Sequence, residues 1–280
     1  MVQFLSGIWE LVMMRGFLQM KFITKTKTLI PAAFVIMFIG SSCTNQNTSE
    51  FAFDATAQHD ETIDSLIDNL PPYEHVILPV KQSGSEYNPG LFYDNTIDLP
   101  SDNTKAALQT GTLMSDLAYF RYYEQVHKSM HYASMLEKHI NAFDLPQNDI
   151  RELIISLEQN INEQDSIIHL LGNAYNELNR KLTKAERTGF AVLIMTGSWI
   201  ESNRLMLGSE YQKEKPVSDT WEQNRMFLEN HLLPLLNEIE NSTNEKIVPR
   251  LETLTNQADK KASLNVLNQL HTQITSPQKA

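Results

Sequence analysis

Two segments of this chain are apolar on nearly every helical face, and that constrains the fold more than any other feature. Residues 111–120 include Leu113, Met114, Leu117, Ala118, Tyr119 and Phe120, and residues 189–207 include Phe190, Val192, Leu193, Ile194, Met195, Trp199 and Ile200. A helix at a protein surface keeps a polar face; one without it belongs in the centre of a bundle. Each segment also carries glycine and small residues, Gly111 and Thr112 in the first, Gly189, Gly197 and Ser198 in the second. Glycine costs a helix about 1 kcal/mol relative to alanine. Close helix–helix approach is the expected compensation.

Each segment places an acid a turn or so after its glycine. Asp116 follows Thr110-Gly111-Thr112, and Glu201 follows Thr196-Gly197-Ser198. An ionised carboxylate in a core is costly unless paired and hydrogen-bonded. Arg121, Arg204, Tyr119, Tyr122 and Trp199 are the nearby candidate partners. Two readings follow. Asp116 and Glu201 are satisfied structural groups, or, with Tyr119, Tyr122 and Trp199, they line a small pocket between central helices, a usual place for a bundle site.

The rest of the chain from Asn103 reads as helix as well. The spacing predicts helices over 103–124, 126–143, 149–161, 163–182 (N-cap Asn162), 183 to about 211, 218–241 and 245–274. Thr183-Lys184-Ala185-Glu186 has the form of a capping box. Pro234 is expected to kink its helix, and Pro249 to sit in a first turn, where proline is tolerated. The expected fold is all-α: an antiparallel bundle or TPR-like array of helical hairpins, about six to seven helices over residues 103–280. The TPR signature W-x2-L-G-x2-Y is absent. Upstream, residues 60–70 read as a short helix. Residues 71–102, with Pro71, Pro72, Pro79, Pro89, Gly90 and Pro100, read as extended chain and turns. Residues 76–80 are the best strand candidate.

The N-terminal region carries a different message. Lys21, Lys25 and Lys27 precede an apolar run at 29–40, followed by Ser41-Ser42-Cys43 and a polar stretch. The run holds 12 residues. A membrane span needs roughly 20, a secretory core roughly 7–15. The layout is that of a bacterial lipoprotein signal, with Cys43 the lipidated residue. Met20 is a better start than Met1, and residues 1–42 are set aside from the fold. Residues 43–58, rich in Asn, Thr, Ser and Gln, are expected to form a polar tether, with residues 59–102 joining it to the helical domain.

Charge narrows the partners. The chain holds 23 basic and 34 acidic residues. Residues 1–42 carry Arg15, Lys21, Lys25, Lys27 and Glu10, which leaves 19 basic and 33 acidic residues, a net of −14, after Ser42. Such a surface repels nucleic acid, and no Lys/Arg stripe interleaves with aromatics. Cys43 is the sole cysteine, so no disulfide is expected. For a metal, Glu124-x-x-His127 with His131 one turn on is the nearest pattern, but a di-iron bundle needs two such elements and two further Glu. The H-E-x-x-H, nucleophile-elbow and phosphate-loop motifs are missing. No cofactor or catalytic residue is assigned.

Glu86-Tyr87-Asn88-Pro89-Gly90-Leu91, Ala106-Ala107-Leu108, Gly111 and Asp116-Leu117-Ala118-Tyr119 resemble an uncharacterised family of all-helical lipoproteins of Bacteroidota-type bacteria, as do Gly197, Trp199 and Glu201. The resemblance covers residues 85–205 and departs from the family pattern at Gln109-Thr110 and Leu113. It implies an all-helical body on a lipid anchor and no particular activity. The expected function is a membrane-anchored binding or protein-interaction module of the cell envelope, attached through acylated Cys43 to the outer membrane on either face, with an envelope protein as its partner. The alternatives are an enzyme or small-ligand binder that uses a buried pocket with Asp116 and Glu201, and a structural envelope or secretion accessory protein.

Overall fold

The computed structural model describes residues 67, 70, 72–77, 79–84, 86–92, 97–143, 145, 155, 167–209, 214–239 and 244–277. All lie in one compact unit, Ser49–Ala280. Cys43, the tether and most of the 60–70 and 149–161 helices, with the Asn162 cap, fall outside the described residues. Among the described residues every regular element is helical. No described helix is long and apolar enough to cross a membrane.

Two short helices, α1 (Tyr73–Ile77) and α2 (Pro79–Ser83), and a 3-10 turn (Pro89–Leu91) precede the long elements. Then come α3 (Asn103–Tyr122), α4 (Val126–Asn141), α5 (Ile167–Lys184) and α6 (Thr188–Gly208). α7 (Glu214–Phe227) runs through a π turn (Leu228–Leu232) into α8 (Leu233–Asn237), and α9 (Asn244–Thr255) and α10 (Lys260–Thr275) end the chain. The most extensive packing is α3 on α6, the two segments without a polar face. α4 lies on α3, α10 on α6 and α3, α1 on α5 and α6, and α2 on α6 and α7. The result is a bundle built round a central pair.

That pair meets through its glycines. A Cβ on Gly111 would overlap the Ile194 carbonyl oxygen, and a Cβ on Gly197 would overlap that of Leu108. Both helices therefore bring bare backbone to the crossing, which explains why glycine is kept there despite its helical cost. Small hydroxyls then stitch the two backbones. Ser198 Oγ donates to the Gly111 carbonyl at 2.9 Å, and Ser115 Oγ to the Ser198 carbonyl at 3.1 Å. Tyr73 reaches into the same seam. Its hydroxyl meets Ser198 Oγ, and its ring stacks on Tyr175 with centroids 4.1 Å apart.

Local expectations and structure part company at several places. Within 71–102, read as extended chain and turns, Tyr73–Ile77, Pro79–Ser83 and Pro89–Leu91 are helical, because Tyr73, Val76 and Val80 are anchored in the core and that burial outweighs weak local preference; residues 86–88 and 97–102 are non-helical, as expected. The strand candidate 76–80 is helical at its described residues: Val76 and Ile77 close α1, and Pro79 and Val80 open α2. The Thr183–Glu186 capping box is not formed: Thr183 and Lys184 belong to α5, and Glu186, in the left-handed region at φ 59°, donates its N–H to the Thr183 carbonyl at 2.9 Å. α6 opens at Thr188 behind Arg187, whose guanidinium donates to the Phe143 carbonyl at 2.5 Å. Pro234 sits just after the π turn, whose wider loop absorbs the missing N–H, and α8 ends at Asn237. Pro249 lies inside α9, beyond its first turn. The predicted 245–274 helix is two helices, because the Asp259 carboxylate accepts from the Ala262 N–H at 2.7 Å and starts α10 anew.

Candidate functional site

Asp116 is five residues past Gly111 on α3, and Glu201 four past Gly197 on α6. The close crossing puts both acids on one side of the seam, where their carboxyl groups hydrogen-bond to each other. Arg204, one turn beyond Glu201, lays its guanidinium along that carboxylate: Nε donates to Oε2 at 2.9 Å and Nη2 to Oε1 at 2.5 Å. His271 Nδ1, from α10, lies 2.6 Å from Oε2. The third Arg204 nitrogen, Nη1, donates to the Leu91 carbonyl at 3.1 Å. One buried side chain thus joins α6 to the 3-10 turn, and Glu201 joins it to α10.

The electrostatics assign the proton. Burial drives Asp116 upward, and the Glu201 charge beside it drives it further, well above the usual carboxylate range. Burial pushes Glu201 up too, but Arg204 and His271 outweigh it and hold it below that range. Arg204 loses by burial and gains more from Glu201, so it stays charged. Asp116 is therefore the neutral acid that donates to an ionised Glu201, and Glu201 and Arg204 cancel. The arrangement follows the rule that two adjacent carboxyls cannot both ionise in a dry site. Asp116 Oδ1 is left without a partner.

The cluster is closed. Asp116, Glu201 and Arg204 are 2, 0 and 3% exposed, and water meets the group through His271, whose side chain is 20% exposed. Tyr132 of α4 covers it; burial, and then the nearby Glu201 charge, raise the pKa of its hydroxyl. Tyr119, one turn past Asp116, accepts from the Asn88 N–H at 2.8 Å, while Asn88 Nδ2 donates to the Gly208 carbonyl at 3.0 Å. Asn88 also caps its own turn through Gly90 N. The words Tyr87–Leu91, Asp116–Tyr119 and Glu201, far apart in sequence, converge here.

Of the pocket candidates, Asp116, Tyr119 and Glu201 come together. Trp199 does not join them: its Nε1 donates to the Asn224 carbonyl at 3.2 Å and its ring packs on Trp221. Tyr122 lies half-buried against Tyr123. Arg204 is the partner of Glu201, and Arg121 is bonded to neither acid. Glu124, in the left-handed region at φ 57°, and His127 and His131 are all exposed. Among the described residues no three His, Cys, Asp or Glu side chains gather as a metal site. Sequence reasoning missed His271 and Tyr132. His271 lies on an amphipathic helix 70 residues from Glu201, and no local pattern marks it.

No protein-family model, curated protein or solved structure matches the chain.

Proposed function

We infer that this chain is a lipid-anchored, all-helical binding or interaction module of the bacterial cell envelope, held to the outer membrane through acylated Cys43. The observation that carries the reading is the order of basic residues, short apolar run, Ser41-Ser42 and a single cysteine at the head of a polar stretch. The likeness of residues 85–205 to helical lipoproteins of Bacteroidota-type bacteria supports it. So does the manner in which the central acids are used. Asp116 and Glu201 are consumed by internal pairing and shut off from water. A hydrolytic or proton-transfer site needs its acid within reach of a substrate. The seam therefore serves as a rigid centre, and binding belongs to the outer faces. A partner in the envelope, itself a protein, fits this role.

The experiment is fractionation of cells that express the full chain and Cys43→Ala. The parent pellets with outer membranes and labels with an azido fatty acid. Cys43→Ala appears in the soluble fraction unlabelled. A variant that still pellets with membranes defeats the reading.

A further inference from the structure

The charges that line one cleft of this acidic molecule are mainly positive. A cleft of about 540 Å³ opens where the start of α3 meets α9 and the end of α10. Three cationic side chains line it: Lys105 from α3 and Lys246 and Arg250 from α9. Lys246 and Arg250 are i, i+4 neighbours on one helical face and both are exposed. Lys246 makes no hydrogen bond or ion pair among the described residues, and Arg250 has one long bond from Nη1, 3.4 Å to Gln269 Oε1. The floor is sealed by Leu108, Ile247 and Ile274, each about 1% exposed. One acid, Asp102, shares the cleft; its carboxylate is turned to the Thr104 N–H at 2.9 Å as the cap of α3. Lys105 donates to the Ser276 carbonyl at 2.6 Å, which fixes its ammonium over the end of α10. Three cations against one acid leave a local excess of two positive charges in a chain of net charge −11.

A second cleft of about 520 Å³ adjoins the first and shares Arg250 and Gln273 with it. Its lining is of another kind: Asn268, Gln269, Thr272 and Ser276, amides and hydroxyls in a row along α10. The pair is therefore polarised, cationic at one end and neutral hydrogen-bonding at the other, with Arg250 at the junction.

We propose that the joined clefts bind a phosphorylated sugar or polyol, its phosphate on Lys105, Lys246 and Arg250 and its hydroxylated body along Asn268, Gln269 and Thr272. A phosphate monoester carries close to two charges and three acceptor oxygens. It matches three donors from two helices better than a carboxylate with two oxygens. Arg250 can present its fork to two of those oxygens at once. The first cleft is of the size that small-ligand sites take, larger than a bare phosphate fills, and the second is a shallow, open depression beside it. The site stands beyond the anchored-module reading, and either can fail while the other holds.

The test is calorimetric titration of the detergent-solubilised full chain with glucose 6-phosphate, inorganic phosphate and glucose. Glucose 6-phosphate is expected to bind in the millimolar range or tighter, inorganic phosphate about tenfold more weakly, and glucose without measurable heat. Lys246→Ala with Arg250→Ala should weaken glucose 6-phosphate binding about tenfold or more, while Lys261→Ala, outside both clefts, leaves it unchanged. A thermal melt of each variant confirms the fold. No binding of glucose 6-phosphate overturns the proposal, and so does binding that the double variant leaves intact. Phosphate as tight as the ester removes the role of the second cleft, and glucose as tight as the ester removes that of the cations; each result refutes the assignment.

Discussion

The central seam and the α9–α10 face hold arginine in opposite ways. Arg204 is buried at 3% exposure with every nitrogen donating to a fixed oxygen. Arg250 stands in solvent with one long contact to Gln269. The difference lies in what surrounds each charge. In a dry core a cation must bring its own anion, and the fold supplies Glu201, made affordable by leaving Asp116 neutral. At the surface water does that work, so the side chain stays available to a ligand. Arg204 is committed, and Arg250 is on offer.

The sharpest way to break this comparison is to remove the buried cation. Arg204→Leu strands Glu201 beside Asp116 with only His271 to hold it. The expected loss is about 3–5 kcal/mol, the usual cost of splitting a buried pair, read by urea unfolding. A loss under about 1 kcal/mol would show that the guanidinium is not what keeps Glu201 ionised. Replacing Asp116, Glu201 and Arg204 together by Leu, Met and Met should recover most of the loss, because no buried charge then remains.

Next in size is the crossing itself. Gly111→Ala drives a methyl group into the Ile194 carbonyl, and backbone cannot swing aside as a side chain does. The helices must separate, and the hydroxyl bonds of Ser198 and Ser115 separate with them. A loss of about 3 kcal/mol is expected, at the upper end of overpacking. Gly189→Ala is the control within α6. Its Cβ would lie 3.5 Å from Ile239, an ordinary contact, so the helical gain of up to about 1 kcal/mol is free to appear. Equal losses at the two positions would show that the crossing is not what needs glycine.

Close approach was legible in the sequence at Gly111 and Gly197, whereas Gly189, read the same way, meets only an ordinary contact with Ile239; the pairing of the two apolar helices was legible too, because a helix without a polar face leaves itself nowhere else to go. The acids were legible as a problem, since Asp116 and Glu201 sit among Leu117, Ala118, Trp199 and Ile200. Their solution was legible in part: Arg204 lies one turn away, whereas His271 and Tyr132 come from other helices through packing that no local spacing encodes. The segment 71–102 misled for the same reason. Its prolines speak for extended chain and turns, which holds at 86–88 and 97–102, whereas Tyr73 and Val76, buried against α5 and α6, make a helix of 73–77. The Thr183–Glu186 box failed because α5 runs on to Lys184 and its last carbonyls, of Lys181, Leu182 and Thr183, accept from the N–H groups of Ala185, Arg187 and Glu186, several bonds against a cap worth about 1 kcal/mol.

A gentler probe of buried against exposed titration is His139. It lies between the Met135 carbonyl and Gln109 Oε1, 2.9 Å from each, and Gln109 Nε2 donates on to the Ile274 carbonyl at 2.9 Å. A neutral ring carries one N–H while both neighbours are acceptors, so it donates to one of the two oxygens at a time; through it and Gln109, α4 meets α3 and α3 meets α10. Burial lowers its pKa below 6.5, with Met135 opposing and Lys138 assisting. The folded state therefore holds the ring neutral while the unfolded chain takes up a proton near pH 6.5. Stability from this group is present above that pH and is lost as pH falls below it. Melts from about pH 7.5 to about pH 5 should show a decline that His139→Gln abolishes. A slope that survives the substitution would assign it elsewhere.

The smallest effect completes the comparison. Arg250→Ala removes the same guanidinium as Arg204→Leu, from a site where its only described bond is 3.4 Å long. The nearest charge relief also runs in favour of the variant, since Lys246 stands one turn away on the same face and like charges at that spacing repel by a few tenths of a kcal/mol. Unfolding free energy should therefore stay within about 0.5 kcal/mol of the parent, as for ordinary surface positions. A loss near that of Arg204→Leu would mean that Arg250 is already committed to holding α9 against α10, and a committed arginine has nothing left for a ligand.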